Sequence, residues 1–213
     1  TIYNATEAAM VKDGFCYYQG MQVQDVSILS FDIETNGLTQ NDDSRVFLIS
    51  NTFRKNGVVT RQLFSHEDYE NDGEMIASWC NWVCGKDPSI LTGHNIYGFD
   101  LPYLNHTAKL YNKKLLLGRN DHVMKFGKNE SKFRVDGSRE LHYFKAQAYG
   151  REIVDTMFLA YKYDIGRKYE SYGLKSIIKA EGLEKLDRTF YEAGTIKDHY
   201  QNPVEWAKIK QYA

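Results

Sequence analysis

The order of apolar runs predicts an α/β domain: a mixed sheet of three antiparallel strands plus parallel strands, flanked by helices. Three observations carry that reading. Val26-Ser27-Ile28-Leu29-Ser30-Phe31 is an apolar run with β-branched members and neither Gly nor Pro, as in a buried strand. Two more apolar runs come after it, joined by Lys55-Asn56-Gly57, which carries the Asn-Gly hairpin signal. From Asp72 onward, stretches with helical apolar spacing alternate with short apolar runs.

Residues 1–25 alternate poorly and predict no element. The first strand is Val26–Ile33, and Asp32 and Glu34 stand at its end. A polar loop with Gly37 leads to a second strand, Val46–Phe53, and Val58–Phe64 returns after the turn. Asp72–Cys84 reads as a helix, with Met75, Ile76, Trp79, Trp82 and Val83 on one stripe and Gly85 at its C-terminal end. Pro88 breaks the chain before a short buried strand, Ser89-Ile90-Leu91-Thr92. After the loop Gly93–Gly98, Phe99–Tyr111 is a second helix, with Asp100 and Pro102 in its first turn, where proline is tolerated. Residues 112–150 are rich in Lys, Arg, Gly and Asn, with Phe133, Tyr143 and Phe144 among them, and read as a basic, hairpin-like insertion. Ile153-Val154-Asp155 ends a strand, and Thr156–Tyr163, Leu174–Ala180 and a last segment from Pro203 are helical.

The 213 residues suffice for one α/β domain, or one with an insertion, and 42% apolar content suits a packed core. The net charge of −1 is unevenly spread. Residues 1–104 carry −8 and residues 105–185 carry +7. An acidic half beside a basic half fits a metal-binding carboxylate site next to a polyanion track, or chance segregation on a solvated surface. Sixteen Tyr suit stacking on bases and also serve ordinary cores. Cys16, Cys80 and Cys84 are too few and too oddly numbered for a disulfide framework; Cys80 and Cys84 read as reduced core thiols. No apolar run reaches membrane-spanning length and no signal peptide is visible. The chain begins at Thr1 without an initiator Met and stops within a helical stretch, which reads as a fragment or a processed chain.

Asp32 and Glu34 lie at i and i+2, so a strand points both carboxylates to one face. Two carboxylates at the end of a core strand repel each other and resist burial. A divalent cation removes that problem, and hard oxygen ligands suit Mg²⁺ or Mn²⁺. A polar strand end running into a turn is the other reading of the same residues. If the fourth strand lies beside the first, Asp100 converges with them, as in ribonuclease-H-like folds.

Phe31-Asp32-Ile33-Glu34-Thr35 resembles the first motif of DnaQ-like 3′–5′ exonucleases. Asn95-Ile96-Tyr97-Gly98-Phe99-Asp100 is similar to their second motif in its family B DNA polymerase form, Asn-x-x-x-Phe-Asp. Gly150–Thr156 and Ser171–Ile177 resemble the segments that lead to the third motif, Tyr-x-x-x-Asp, in which Tyr212 matches the tyrosine and the aspartate would fall past Ala213. The resemblance covers about residues 25–213 and implies an exonuclease domain over 26–213. It implies proofreading within a DNA-directed DNA polymerase, quite in keeping with a viral source: hydrolysis of the 3′-terminal phosphodiester of single-stranded DNA with two Mg²⁺ or Mn²⁺ ions. By the same resemblance Asp32 bridges both ions, Glu34 holds the water-activating ion, Asp100 holds the ion beside the leaving group, and Tyr212 orients the attacking water. Thr35 and Leu38 would meet the terminal sugar and base, and Asn95 and Phe99 the penultimate nucleotide; core packing is the other reading of Phe99 and Leu38. With three of four carboxylates in the sequence, the water-activating ion is expected to bind weakly to this polypeptide. The implied partner is a polymerase domain in the same longer chain, and the implied location is the cytoplasm of a bacterial or virus-infected cell. Asp155 is a further candidate for metal contact, while His94 and Tyr103 read as structural. A non-catalytic module that binds single-stranded DNA or a replication protein, and a free-standing nuclease, remain open alternatives.

Overall fold

The computed structural model describes residues 4–16, 19–136, 139–183 and 196–212, with Tyr212 described by its backbone alone. Helix α1 (Ala5–Asp13) comes first, capped by the Asn4 side chain on the N–H groups of Thr6 and Glu7. None of its residues is buried, so it has no apolar stripe, and the sequence pattern of residues 1–25 is silent for that reason.

Strands β1 (Ile28–Thr35), β2 (Val46–Lys55) and β3 (Val58–Ser65) form an antiparallel meander. β1 starts and ends two residues later than its apolar run indicates. At the β2–β3 turn, Asn56 and Gly57 have φ of 50° and 77°, the left-handed pair that a tight hairpin with right-handed twist requires. Helix α2 (Asp72–Lys86) runs past Gly85 and is closed by Asp87 at φ 49°. β4 (Ile90–Gly93) lies parallel to β1, and α3 (Asp100–Leu110) comes after it. β5 (Lys125–Arg134) and β6 (Glu140–Gln147) pair as a separate two-stranded hairpin. β7 (Glu152–Asp155) lies parallel to β4, and α4 (Thr156–Tyr163), α5 (Leu174–Ala180), α6 (Ile196–His199) and α7 (Pro203–Tyr212) complete the described chain. The main sheet has the order β3-β2-β1-β4-β7, a mixed sheet flanked by helices.

The main core joins Leu29, Phe31 and Ile33 of β1 to Ile76, Trp79 and Val83 of α2 and Leu101 and Leu104 of α3. Leu115, Leu117 and Met124 also enter it, so residues 112–124 line the core and the protruding hairpin begins only at Lys125. Cys80 is buried in this core, Cys84 is half-buried with its thiol on the Leu116 carbonyl at 3.1 Å, and both are free. A second cluster, Phe47, Leu48, Ile196, Trp206 and Ile209, fastens α6 and α7 to β2. Each fully buried apolar side chain there stabilises by roughly 1.5–3 kcal/mol. The base of the hairpin joins the main core through Ala146 and Phe126, and its outer part is fastened by rings: Phe133 stacks on Phe158 of α4 at 4.6 Å, and Tyr143 meets Phe158 at 4.9 Å and Tyr97 at 5.0 Å.

Two packing details shape the sheet at the end of β4. A Cβ on Gly93 would lie 2.6 Å from the Phe31 carbonyl and 2.4 Å from Ile96 Cγ2, so only glycine lets the end of β4 approach β1 this closely. Parallel pairing between β1 and β4 then stops at Ser30 opposite Thr92. Among the described residues, no helix is long and apolar enough to cross a membrane.

Candidate active site

β1 outruns β4. Phe31–Thr35 keep β2 on one side and have no β4 partner on the other, and the N-terminus of α3 comes to that opening. The opening lies beyond the carboxyl end of β4, where open α/β sheets place ligands. It is a cleft of about 410 Å³, lined by Asp32, Glu34, Thr35, Leu38, Asn95, Phe99 and Asp100, with His94, Gly98 and Ile196 among its other walls. Strand alternation turns Phe31 and Ile33 into the core and sets Asp32, which is exposed, and Glu34, which is half-buried, on the opposite face.

Asp100 is the first residue of α3 and is 2% exposed. Its Oδ1 is buried and has no hydrogen-bond partner among the described residues. Burial, then the neighbouring Asp32, raise the Asp100 carboxyl well above the usual carboxylate range; Asp155 adds to this, and the backbone N–H groups of Asp100 and Ile33 oppose it. Glu34 is pushed up to about 7, first by burial and then by Asp32, with Lys175 of α5 acting in the other direction. Each carboxylate thus makes ionisation of another harder, and a cation among them would reverse that effect. The three carboxylates line the cleft without closing a cage: among the described residues no three His, Cys, Asp or Glu side chains are gathered tightly enough to enclose an ion.

Among the other residues singled out from the sequence, Thr35 is buried, and its hydroxyl donates to the Gly37 carbonyl at 2.7 Å. Leu38 is 71% exposed at the cleft mouth. Asn95 has φ 64°, and its backbone N–H is taken by Asp155. Phe99 packs against the main core, with its ring 5.3 Å from that of Tyr103. Tyr103 is fully buried, and its hydroxyl donates to Asn36 Oδ1 at 2.8 Å. His94 is held at both ring nitrogens, by the Thr156 hydroxyl at 3.0 Å and the Tyr172 carbonyl at 2.7 Å. Tyr212 is the last residue of α7, and its side chain lies outside the described residues.

Lys175 and Ile196 escape the sequence reading. Lys175 lies in Ser171–Ile177, a stretch whose motif resemblance assigns that lysine no part in the cleft, and only the packing of α5 brings its charge to bear on Glu34. Ile196 belongs to α6, which the sequence reading does not mark as an element.

A family model described as DNA polymerase family B, exonuclease domain, matches residues 11–177. The DNA polymerase delta catalytic subunit of Schizosaccharomyces pombe is 32% identical over 113 residues, which cover 43% of this chain and 10% of that one. The corresponding subunit of Drosophila melanogaster is 29% identical over 174 residues, 70% of this chain and 15% of that one. This chain therefore spans a tenth to about a seventh of these curated relatives. Among solved structures, the family B DNA polymerase of the archaeon Pyrobaculum calidifontis superposes with a TM-score of 0.66 at 18% identity, over 88% of this chain and 22% of that one.

Proposed function

The chain belongs to the exonuclease domain family of family B DNA polymerases, and on that premise we propose that it is the 3′–5′ proofreading unit of a longer DNA-directed DNA polymerase, removing the 3′-terminal nucleotide of single-stranded DNA. The observation that carries the reading is Asp100 Oδ1, a buried carboxylate oxygen without a partner among the described residues, in the cleft that Asp32 and Glu34 also line.

The donor set suits hard divalent cations, Mg²⁺ or Mn²⁺, of which the reading calls for two, because all three groups are carboxylates lining one cleft. Asp32 would contact both ions, Glu34 the ion on the water side, and Asp100 the ion on the leaving-group side. Bound there, the ions supply a hydroxide at neutral pH and stabilise the departing 3′ oxygen. The chain's own residues do the rest. Tyr212 orients the attacking water through its hydroxyl. Thr35 and the exposed Leu38 flank the terminal sugar and base, and Asn95 and Phe99 border the penultimate nucleotide. Lys175 offsets the negative field at Glu34. The basic hairpin β5–β6 guides the primer strand. The Tyr-x-x-x-Asp pattern adds a fourth carboxylate to these three.

The test is cleavage of a 3′-fluorescent single-stranded DNA with Mn²⁺, using the protein extended through the third motif and its Asp32→Ala variant. Release of labelled mononucleotide from the 3′ end, abolished by Asp32→Ala, is the expected result. Tight DNA binding with no release would make the domain a binding module and end the catalytic reading.

A further inference from the structure

We infer that Asp155 is a positioning residue: its carboxylate holds the loop between β4 and α3 in the conformation that delivers Asp100 to the cleft. The inference rests on the catalytic reading of Asp100.

β4 and β7 run side by side, and Gly93 opposite Asp155 is their last register pair. Past Gly93 the chain leaves the sheet, and the N–H groups of the loop lose their ladder partners. Asp155 supplies them. It is 3% exposed, and both of its oxygens are engaged. Oδ1 accepts the Asn95 N–H at 2.8 Å, and Oδ2 accepts the Tyr97 N–H at 3.1 Å. Oδ1 also accepts the Met157 N–H at 3.0 Å, which caps α4. A cap alone needs one oxygen and one turn of helix. The two bonds that cross to Asn95 and Tyr97 serve a different element.

Those two bonds fix the path of the chain into α3. Asn95 is held at φ 64°, a left-handed conformation that Asn tolerates better than most residues. From there its carbonyl accepts the N–H groups of Gly98 at 3.0 Å and Phe99 at 2.9 Å, and the Ile96 carbonyl accepts that of Leu101 at 3.0 Å. The chain thus turns directly into α3 with Asp100 as its first residue. Tyr97 is tied a second time, its hydroxyl donating to the Ile153 carbonyl of β7 at 3.2 Å. Every bond in this set runs between the loop and β7, or within the turn itself. A carboxylate whose oxygens already take three N–H groups is poorly disposed to hold an ion as well, which sets aside the alternative that Asp155 is a metal ligand.

The experiment uses the full-length protein that carries this domain, with Asp155→Ala, the isosteric Asp155→Asn, and Asp100→Asn for reference. Hydrogen–deuterium exchange is followed in peptides covering residues 94–99 and β1, and cleavage of 3′-fluorescent single-stranded DNA is measured across a Mn²⁺ series. In Asp155→Ala, exchange over 94–99 is expected to accelerate about tenfold while β1 is unchanged, and the Mn²⁺ concentration for half-maximal cleavage to rise about tenfold with KM for DNA moved less than about twofold. Asp155→Asn keeps one oxygen acceptor and is expected to fall between, and it carries the test if Asp155→Ala does not fold. Unchanged exchange over 94–99 overturns the inference. So does an Asp155→Asn protein with wild-type exchange that fails to cleave at every Mn²⁺ concentration, since that marks a direct ligand. Retained cleavage by Asp100→Asn would remove the catalytic reading instead, while the exchange data still decide whether the clamp exists.

Discussion

Asp72 meets the Arg45 guanidinium on both of its oxygens, at 2.7 and 3.0 Å, with the carboxylate side chain 1% exposed and the arginine 38%. One of those oxygens also accepts the Val46 N–H at 3.0 Å, so the first turn of α2 is pinned to the start of β2. Loss of the arginine would strand a buried charge, which costs about 3–5 kcal/mol. Arg45→Ala is therefore expected to destabilise by that amount in urea unfolding. Asp72→Asn keeps an acceptor for Val46 and leaves a cation that water reaches, so it should cost less. The double variant should be more stable than Arg45→Ala alone, because a neutral amide needs no counter-ion. A fully additive cycle would contradict the pairing.

The carboxylates of the cleft predict a pH effect in metal-free protein. Glu34 moves from 4.5 to about 7 on folding, and Asp100 moves in the same direction. For a carboxyl raised by folding, the stabilising contribution is complete below the unfolded value and is lost as pH rises through the folded one. At about 1.4 kcal/mol for each tenfold in proton affinity, Glu34 accounts for up to about 3 kcal/mol. With EDTA present, Glu34→Gln and Asp100→Asn should melt higher than the parent at pH 8.5 and close to it at pH 4.5. Mn²⁺ should raise the melting point of the parent more than that of either variant. Equal melting points at pH 8.5 would refute this.

His66 predicts the opposite slope on the acid side. Its ring lies among Phe47, Tyr200 and Trp206, at 5.6, 5.5 and 5.2 Å, and its buried Nε2 has no partner among the described residues. Burial and then Arg45 lower its pKa below 6.5, against the pull of Asp72, Glu67 and Asp68. The unfolded chain therefore takes up the proton first, and stability is complete above 6.5 and falls as pH drops toward the folded value. The loss should appear first in α6 and α7, which close this cage. His66→Phe should flatten the melting curve between pH 7 and pH 5; an unaltered slope would show that another group carries it.

The hairpin should come loose without unfolding the domain. Phe133 and Tyr143 hold its outer part through Phe158 and Tyr97, and such ring pairs stabilise by about 0.5–1.5 kcal/mol each beyond their buried area. The double substitution Phe133→Ala/Tyr143→Ala should speed limited proteolysis within residues 125–147 at least about tenfold, the equivalent of about 1.4 kcal/mol. The melting point of the main core should shift by only a few degrees. Simultaneous loss of both would mean that the hairpin and the sheet fold as one unit.

Gly93→Ala tests the approach of β4 to β1. The added methyl would meet the Phe31 carbonyl at 2.6 Å, and backbone cannot swing aside as a side chain can. A loss of about 1–3 kcal/mol is expected, with weakened Mn²⁺ binding, because both walls of the cleft shift. A variant as stable as the parent would show that β4 has room to move.

Much of this molecule was legible locally. The β1–β3 meander arises from three apolar runs and an Asn-Gly pair whose φ values are set by the two residues themselves. Helix α2 arises from its apolar periodicity, and the alternation of β1 is enough to place Asp32 and Glu34 together on one face. The two motifs were visible because a strand end and a helix start are short-range objects. Local pattern records that a face is buried, and it is silent on what buries it. Hence α1, with no buried face, left no trace, and residues 112–124 read as part of an insertion although Leu115 and Leu117 complete the core.

Only the tertiary structure decided which distant groups meet. The register that ends at Ser30 opposite Thr92, made possible by Gly93, opens the cleft and brings Asp100 to Glu34 and Asp32. Packing of α5 brings Lys175 to bear on Glu34, and the pairing of β7 with β4 gives Asp155 to the loop at Asn95 and Tyr97. The reason is physical. Residue types and their spacing determine propensity and burial within an element, but convergence across 60 residues depends on strand order and register, which are properties of the packed sheet and of no single segment.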